Sequence, residues 1–453
     1  MSCVKSVRYS VKLNGKLLEV FSPSRGLRQG DPLSPFLFLF VADALSALLS
    51  KSVNEGSLKR VSICRGAPEI SHLLFADDTL LFFEASGQQA DVVKGLLNTY
   101  SSATGQLINP EKCSILFSDN CGGSVVDEIK STLEVTQQVF EPKYLGLPVP
   151  EGRVHKGQFE TLQDRLRKIL VDWSEQYVSV GNKEILIKAV AQAIPTYVMS
   201  VFKLPASVCD DLTKMMRQYW WGVENGKRKM AWLSWERMML PKAMGGMGFR
   251  DMRAFNQALL AKQAWRLLDS QDSLCARLLK AKYYPRGNLL DTVFSSNSSA
   301  VWKGIVHGLD LVKKGIIWRV GNGAMIKTWR DAWIPRGHNF RPITPKRNCR
   351  YNRVADFLNE HGAWDVERLR EHFWDMDVRE IVKVRTSPRN GQDFIAWAAE
   401  RSGQFTVRSA YHLAMEVQHS MRLSSSSSNA SGRRPIWQRI WSSKVPLKMT
   451  IMA

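Results

Sequence analysis

Four residues constrain this chain more than any others: Phe75-Ala76-Asp77-Asp78, two adjacent acids between the apolar runs Leu73-Leu74-Phe75 and Leu80-Leu81-Phe82-Phe83. Apolar arms around a polar bend predict a β-hairpin over 71–83. Carboxylates in such a setting are costly unless something offsets their charge. Water at a solvated tip does so, because Asp favours turns. A divalent cation does so too: phosphoryl transfer from a nucleoside triphosphate needs Mg²⁺, and hard cations take carboxylate oxygens. Neighbouring strand residues point to opposite faces, so Asp77 and Asp78 cannot serve a two-metal site equally well. A further carboxylate must then come from another strand.

The second informative stretch is R-G-L-R-Q-G-D-P-L-S-P at 25–35. Gly26 and Gly30 let a backbone approach a ligand closely, Gln29 offers an amide, and Arg25 and Arg28 suit phosphate. Read alone, it is an ordinary loop leading into a capped helix; paired with the acidic hairpin, it points to a ligand. Before it, Val7, Tyr9, Val11 and Leu13 alternate up to Asn14-Gly15, and Leu18 and Val20 continue, which predicts a hairpin. After it, Ser34 is a candidate N-cap and Pro35 a first-turn residue. Leu37, Phe40, Val41, Ala44, Leu45 and Leu48 then repeat at helical spacing. A further helix is expected over 91–102, with Gly105 as its stop.

Charge points towards a polyanionic partner. The chain of 453 residues carries 63 Lys+Arg against 42 Asp+Glu, a formal net charge of +21. Nucleic acid is the commonest large polyanion, though a ribosomal or membrane surface attracts the same surplus. Seven cysteines without a C-x-x-C pair are not a disulfide framework and suit a reducing compartment. The apolar stretch 33–49 carries Asp43 and reads as too short and interrupted to span a bilayer. No secretory signal opens the chain, so nucleus or cytoplasm is expected rather than secretion, and no membrane partner.

The middle reads as helical: Phe159, Leu162, Leu166, Ile169, Leu170 and Trp173 share a face, and further helices are expected over 183–195, 212–221 and 254–268. From 316 to 334 the pattern returns to strands around Gly321-Asn322-Gly323. The Ser424–Ser428 run with Gly432 reads as a flexible linker. Basic residues of the middle, such as Arg165, Arg167 and Lys168, either track a nucleic-acid backbone or are ordinary solvated charges. The tryptophans mostly fall in apolar patterns and read as core.

Taken together, R-G-L-R-Q-G-D-P-L-S-P and F-A-D-D resemble the palm of a non-LTR retroelement reverse transcriptase of the kind abundant in plant genomes. The resemblance continues through G-Q-L-I-N-P-E-K-C (105–113), K-Y-L-G-L-P (143–148), I-P-T-Y-V-M-S (194–200), P-K-A-M-G-G-M-G-F (241–249) and N-Q-A-L-L-A-K (256–262). It includes W-R-V-G-N-G and W-R-D-A-W-I-P within 318–335, F-T-V-R-S-A-Y (405–411) and W-Q-R-I-W-S-S-K-V-P (437–446). A relative of group II intron maturases is disfavoured by the helical pattern after 150.

The resemblance implies an α+β fold: a partial right-hand polymerase palm over 1–150, then a mainly helical thumb-like region over 151–270. An unassigned α+β region over 271–404 follows, and 405–453 looks like the start of a truncated zinc-binding region with the Ser-rich linker. It implies RNA-directed DNA synthesis on an RNA or RNA/DNA template–primer with deoxynucleoside triphosphates. Asp77 would be a catalytic ligand of Mg²⁺ with Asp78 assisting. Arg25, Gly26, Gln29 and Gly30 would lie against template and nucleotide. Lys112 would contact phosphate or give a proton to pyrophosphate, unless it is simply a solvated charge. Two departures stand out. The family carries another catalytic aspartate on an earlier strand, whereas here no Asp precedes Asp31 and the only earlier acid is Glu19. Neither His412 nor His419 has a neighbouring Cys, so no zinc is expected. The chain is therefore expected to be catalytically incomplete alone, or else a non-catalytic nucleic-acid-binding remnant of a decayed element.

Overall fold

A computed structural model describes residues 6–22, 26, 30–135, 137, 143–149, 156–174, 178–224, 227–337, 340–387 and 391–425. The chain forms two compact units, one of residues 1–149 with 277–285 and the other of 150–276 with 286–453. Long helices and small two-stranded sheets make up both, an α+β composition.

The first unit opens with the hairpin β1 (Lys12–Leu13) and β2 (Lys16–Leu17). Asn14 at φ 46° and Gly15 at φ 85° give a turn whose twist matches the paired strands. Tyr9 and Phe21 extend the pairing through two 2.8 Å backbone hydrogen bonds. Helix α1 (Ser34–Asn54) follows, with Pro35 in its first turn. Ser34 is not the cap: Leu33 takes that position, and the Asp31 side chain accepts from the Leu33 N–H at 2.8 Å instead. Leu45 and Leu49 of α1 are buried with Leu58, Val93 and Tyr100 in one core. The predicted apolar stripe holds only for the C-terminal half, since Phe40 is 74 % exposed and Phe36 and Leu39 also face solvent. At 21 residues α1 is long and apolar enough to cross a membrane by length and composition, which corrects the expectation drawn from 33–49.

Strands β3 (His72–Phe75) and β4 (Asp78–Leu81) form the second hairpin, and helix α2 (Gly87–Thr104) packs behind it. Ser86 caps α2 by accepting from the Gln89 N–H, and Gly105 ends it in the left-handed region at φ 72°. Helix α3 (Gly123–Leu133) lies on α2, with Lys94 pairing Glu134 at 2.8 Å. A short hairpin, β5 (Lys143–Tyr144) and β6 (Leu147–Pro148), turns through Leu145 and Gly146.

In the second unit, α4 (Glu160–Ser174) buries Leu162, Leu166 and Leu170 against α5 (Ala206–Trp221), which contributes Val208, Leu212, Met216 and Trp220. Between them the chain runs helically over Val180–Leu186 and widens into a π-turn at Ile187–Ala191. Here Glu184 is buried and its Oε1 accepts from Lys188 Nζ at 2.6 Å. Lys188 also donates to the Met247 carbonyl at 2.6 Å, fastening the 241–249 loop. After α5 come β7 (Val223–Glu224), β8 (Lys227–Arg228) and the short α6 (Trp235–Met239).

Helices α7 (Met252–Asp269), α8 (Ala300–Gly315) and α9 (Val407–Ser425) pack together. Alpha-carbons approach so closely that a Cβ on Gly308 would lie 2.3 Å from the Leu260 carbonyl carbon. Phe405 stacks on Trp265, and Ser409 accepts from the Trp397 indole at 2.9 Å, seating the start of α9.

The strand–turn–strand expected over 316–334 is only half present. Strand β9 (Ile316–Arg319) pairs with the distant β10 (Phe394–Trp397), not with a local return strand. The reason is Asp393. Its buried carboxylate accepts from the N–H groups of Gly321, Gly323 and Met325 at 2.7, 2.9 and 2.8 Å, so the glycine turn wraps a side chain. Trp333, Val354, Phe357, Leu369 and Phe373 form the apolar core beside it.

Candidate active site

The acidic hairpin is built by a strict two-residue reversal. Phe75 pairs with Asp78, which leaves Ala76-Asp77 as the turn. Ala76 sits at φ 49°, a left-handed conformation that costs an L-residue with a Cβ about 1 kcal/mol or more. Alternation sends Leu74 and Leu81 into the core with Leu45 and Val93, while Leu73 and Phe75 face outward. Asp77 and Asp78 are both exposed at the tip. Solvent therefore stabilises their charges, and the tip is open to a ligand.

Sequence reasoning missed two side chains near this hairpin. His72, at the base of β3, has Nε2 2.8 Å from Ser46 Oγ of α1 and Nδ1 2.9 Å from Ser71 Oγ. Burial, and then the positive charge of Arg60, hold the imidazole below its ordinary pKa. Tyr144 on β5 is the second. Burial and then the negative charge of Asp78 raise its phenol above the usual value, which places the β5–β6 hairpin within electrostatic reach of the acids. The only signal for Tyr144 in the sequence was its place in K-Y-L-G-L-P.

The remaining expected residues divide. Gly26 and Gly30 both adopt φ 85°, and a Cβ on either would meet nothing within 4 Å, so both stand where only glycine is unstrained and where the backbone is open. Arg25 and Gln29 lie outside the described residues. Lys112 is exposed on a single 3₁₀ turn (Pro110–Lys112) begun by Asn109, whose side chain accepts from the Glu111 N–H at 3.0 Å. It makes no ion pair among the described residues. Glu19 is exposed just beyond β2.

Among the described residues no group of three or more His, Cys, Asp or Glu side chains is gathered to hold a metal. Two adjacent carboxylates nonetheless match how Mg²⁺ is bound in nucleotide chemistry. That ion takes one or two protein carboxylates and fills its octahedron with water and substrate phosphate oxygens. Asp77 and Asp78 are two carboxylates exposed side by side at this tip.

Hairpin, helix and acidic turn fit a polymerase palm, and residues 2–149 match the family described as reverse transcriptase (RNA-dependent DNA polymerase). An uncharacterised mitochondrial protein of Arabidopsis thaliana is 38 % identical over 143 residues, covering 31 % of this chain and 93 % of that protein. A second Arabidopsis thaliana protein, named for ribonuclease H, is 29 % identical over 278 residues, 59 % of this chain and 44 % of its own length. A retrovirus-related Pol polyprotein from a type-1 retrotransposable element R2 of Popillia japonica is 29 % identical over 178 residues, 37 % of this chain and 28 % of that polyprotein. The chain belongs to the reverse-transcriptase family of non-LTR retrotransposons. It spans less than half the length of the ribonuclease H-named relative and of the Popillia polyprotein.

Proposed function

We propose that residues 1–150 are a partial palm for RNA-directed DNA synthesis, with Asp77 as the Mg²⁺ ligand and Asp78 assisting it. The observation that supports this most is the strained two-residue turn that presents both acids to solvent. Magnesium bound there would neutralise triphosphate charge and activate the attacking primer oxygen. In this reading Gly26, Gln29 and Gly30 line the template and nucleotide, Arg25 meets phosphate, and Lys112 meets phosphate or protonates pyrophosphate. Residues 151–270 act as a thumb-like connector. Residues 271–404 have no assigned role, and 405–453 resemble the start of a zinc-binding region. Partners are an RNA or RNA/DNA template–primer and deoxynucleoside triphosphates.

The same reading makes the 453 residues insufficient for polymerisation unaided. Two-metal chemistry needs a carboxylate from another strand, and within this sequence no Asp precedes Asp31, while Glu19 faces solvent. The alternative is a non-catalytic remnant that keeps nucleic-acid binding, favoured by the net charge of +21. Primer extension with Mg²⁺ tests both. The chain alone should incorporate no deoxynucleotide. A fusion to an Asp-bearing palm strand and fingers should, and Asp77→Asn should abolish it. Incorporation by the unfused chain that Asp77→Asn removes would overturn the incompleteness. A fusion that stays inactive while folded would favour the remnant.

A further inference from the structure

Tryptophan is rarely left in water, and here Trp302, Trp333 and Trp397 are at most 1 % exposed. Trp232 is 81 % exposed, with Met230 and Leu233 also facing solvent beside it. This is a presented segment held at both ends. On one side the Lys229 N–H donates to the Gly222 carbonyl at 3.3 Å, closing the β7–β8 hairpin at the end of α5. On the other, Ser234 caps α6 by accepting from the Arg237 N–H. The buried Trp235 stacks on Phe249 with centroids 4.8 Å apart and planes 6° from parallel, and Trp220 meets the same Phe249 edge-on. Three aromatic rings thus pin the segment to the core and leave Trp232 on the outer side.

The strip is also basic. Between Gly222 and Met238 stand Lys227, Arg228, Lys229 and Arg237 against only Glu224 and Glu236. Lys229 and Arg237 are both exposed. An aromatic face offered to solvent within a cationic run is what a single-stranded polynucleotide uses: bases stack on the ring and phosphates meet the cations. A protein partner would cover Met230 and Leu233 equally well but gives no account of the four-to-two excess of positive charge.

We propose that residues 229–237 bind single-stranded nucleic acid, with Trp232 stacking on a base while Lys229 and Arg237 meet phosphates. The proposal rests on the nucleic-acid reading above but uses neither Asp77 nor Asp78. Fluorescence anisotropy of the full chain with labelled oligouridylate and oligothymidylate of about 20 nucleotides tests it. Trp232→Ala should weaken binding roughly tenfold with the salt slope unchanged, and Trp232→Phe should restore most of the affinity. Lys229→Ala with Arg237→Ala should lower the salt slope by about 1.4, that is about 0.7 per lost phosphate contact. Unchanged binding by folded Trp232→Ala overturns the proposal and leaves Trp232 to a protein contact. Equal losses for the Phe and Ala variants also overturn it, as does a parent chain that binds neither oligonucleotide at low salt. None of these outcomes bears on primer extension by the fused palm.

Discussion

His72 and Ser46 meet at 2.8 Å, Nε2 to Oγ, and this contact moors the acidic hairpin to the first long helix. Among the described residues the hairpin has two strands, so it gains no rigidity there from a wider sheet. Its position depends on Leu74 and Leu81 in the core and on this polar tie at the base of β3.

The tie makes stability sensitive to acid. The folded state holds His72 below its ordinary pKa through burial and then Arg60, and it holds His307 at about 4 through burial and then Lys203, which Asp310 opposes only partly. A depressed folded pKa means that stability is complete above about pH 6.5 and is lost as pH falls through the folded value, because the unfolded chain takes the proton first. For His307 the window runs from about 6.5 to about 4. Melting temperature should fall between pH 7 and pH 4.5, and His307→Gln should flatten that slope. An unchanged slope in the variant would remove His307 as the cause.

Glu184 is buried with Oε1 shared by Lys188 at 2.6 Å and Lys242 at 3.3 Å, while Oε2 has no hydrogen-bond partner among the described residues. Lys188→Met should therefore cost about 3 kcal/mol in urea unfolding, because it strands much of a buried charge. Adding Glu184→Gln should recover part of that loss. Additive losses in the double variant would show that the pair is not coupled.

Asp393 gathers three backbone N–H groups. Asp393→Ala should destabilise the chain by about 3 kcal/mol or more, since buried donors lose their acceptor. Asp393→Asn keeps one acceptor oxygen and should cost less. Amide exchange at Gly321 and Gly323 should accelerate in the Ala variant, and protection that persists would refute the account.

Gly308→Ala tests the crossing of α7 and α8. A methyl group there meets the Leu260 and Ala261 backbone at 2.3 to 2.5 Å, which no rotamer change can relieve. The expected loss is about 3 kcal/mol, at the upper end of overpacking costs. An unchanged unfolding midpoint would mean that the helices separate at little cost.

The first unit exposes Leu17, Val20, Phe21, Phe36, Leu39 and Phe40, and its two-stranded sheets leave edges unpaired. Self-association should appear in sedimentation velocity at micromolar concentration, and Phe40→Lys should shift the distribution towards smaller species. A monodisperse parent would count against this.

Much of the candidate site was legible because its signals are local. The Asn14-Gly15 and Ala76-Asp77 turns follow from apolar arms around polar reversals, and Gly105 ends its helix by adopting a conformation other residues resist. Ser34 was misread because a serine before an apolar run is a good cap only when the chain enters at the right angle. Here Asp31 provides the turn, so Ser34 falls inside the helix. Phe40 was misread because periodicity reports which residues share a face, not whether anything packs against it.

Residue order by itself determined the acidic hairpin, the glycine-bearing loop before a proline-led helix, the basic surplus and membership of the reverse-transcriptase family, since each is carried by neighbours within a few positions or by summed charge. Tertiary structure alone decided that His72 holds the hairpin to α1, that Tyr144 feels Asp78, that the 321–323 turn folds around Asp393, and that Trp232 stands in solvent. Those outcomes depend on residues brought together from far apart in the chain. Whether a buried amide finds a carboxylate, or an aromatic ring finds a core, depends on the closure of the whole fold and not on the local pattern.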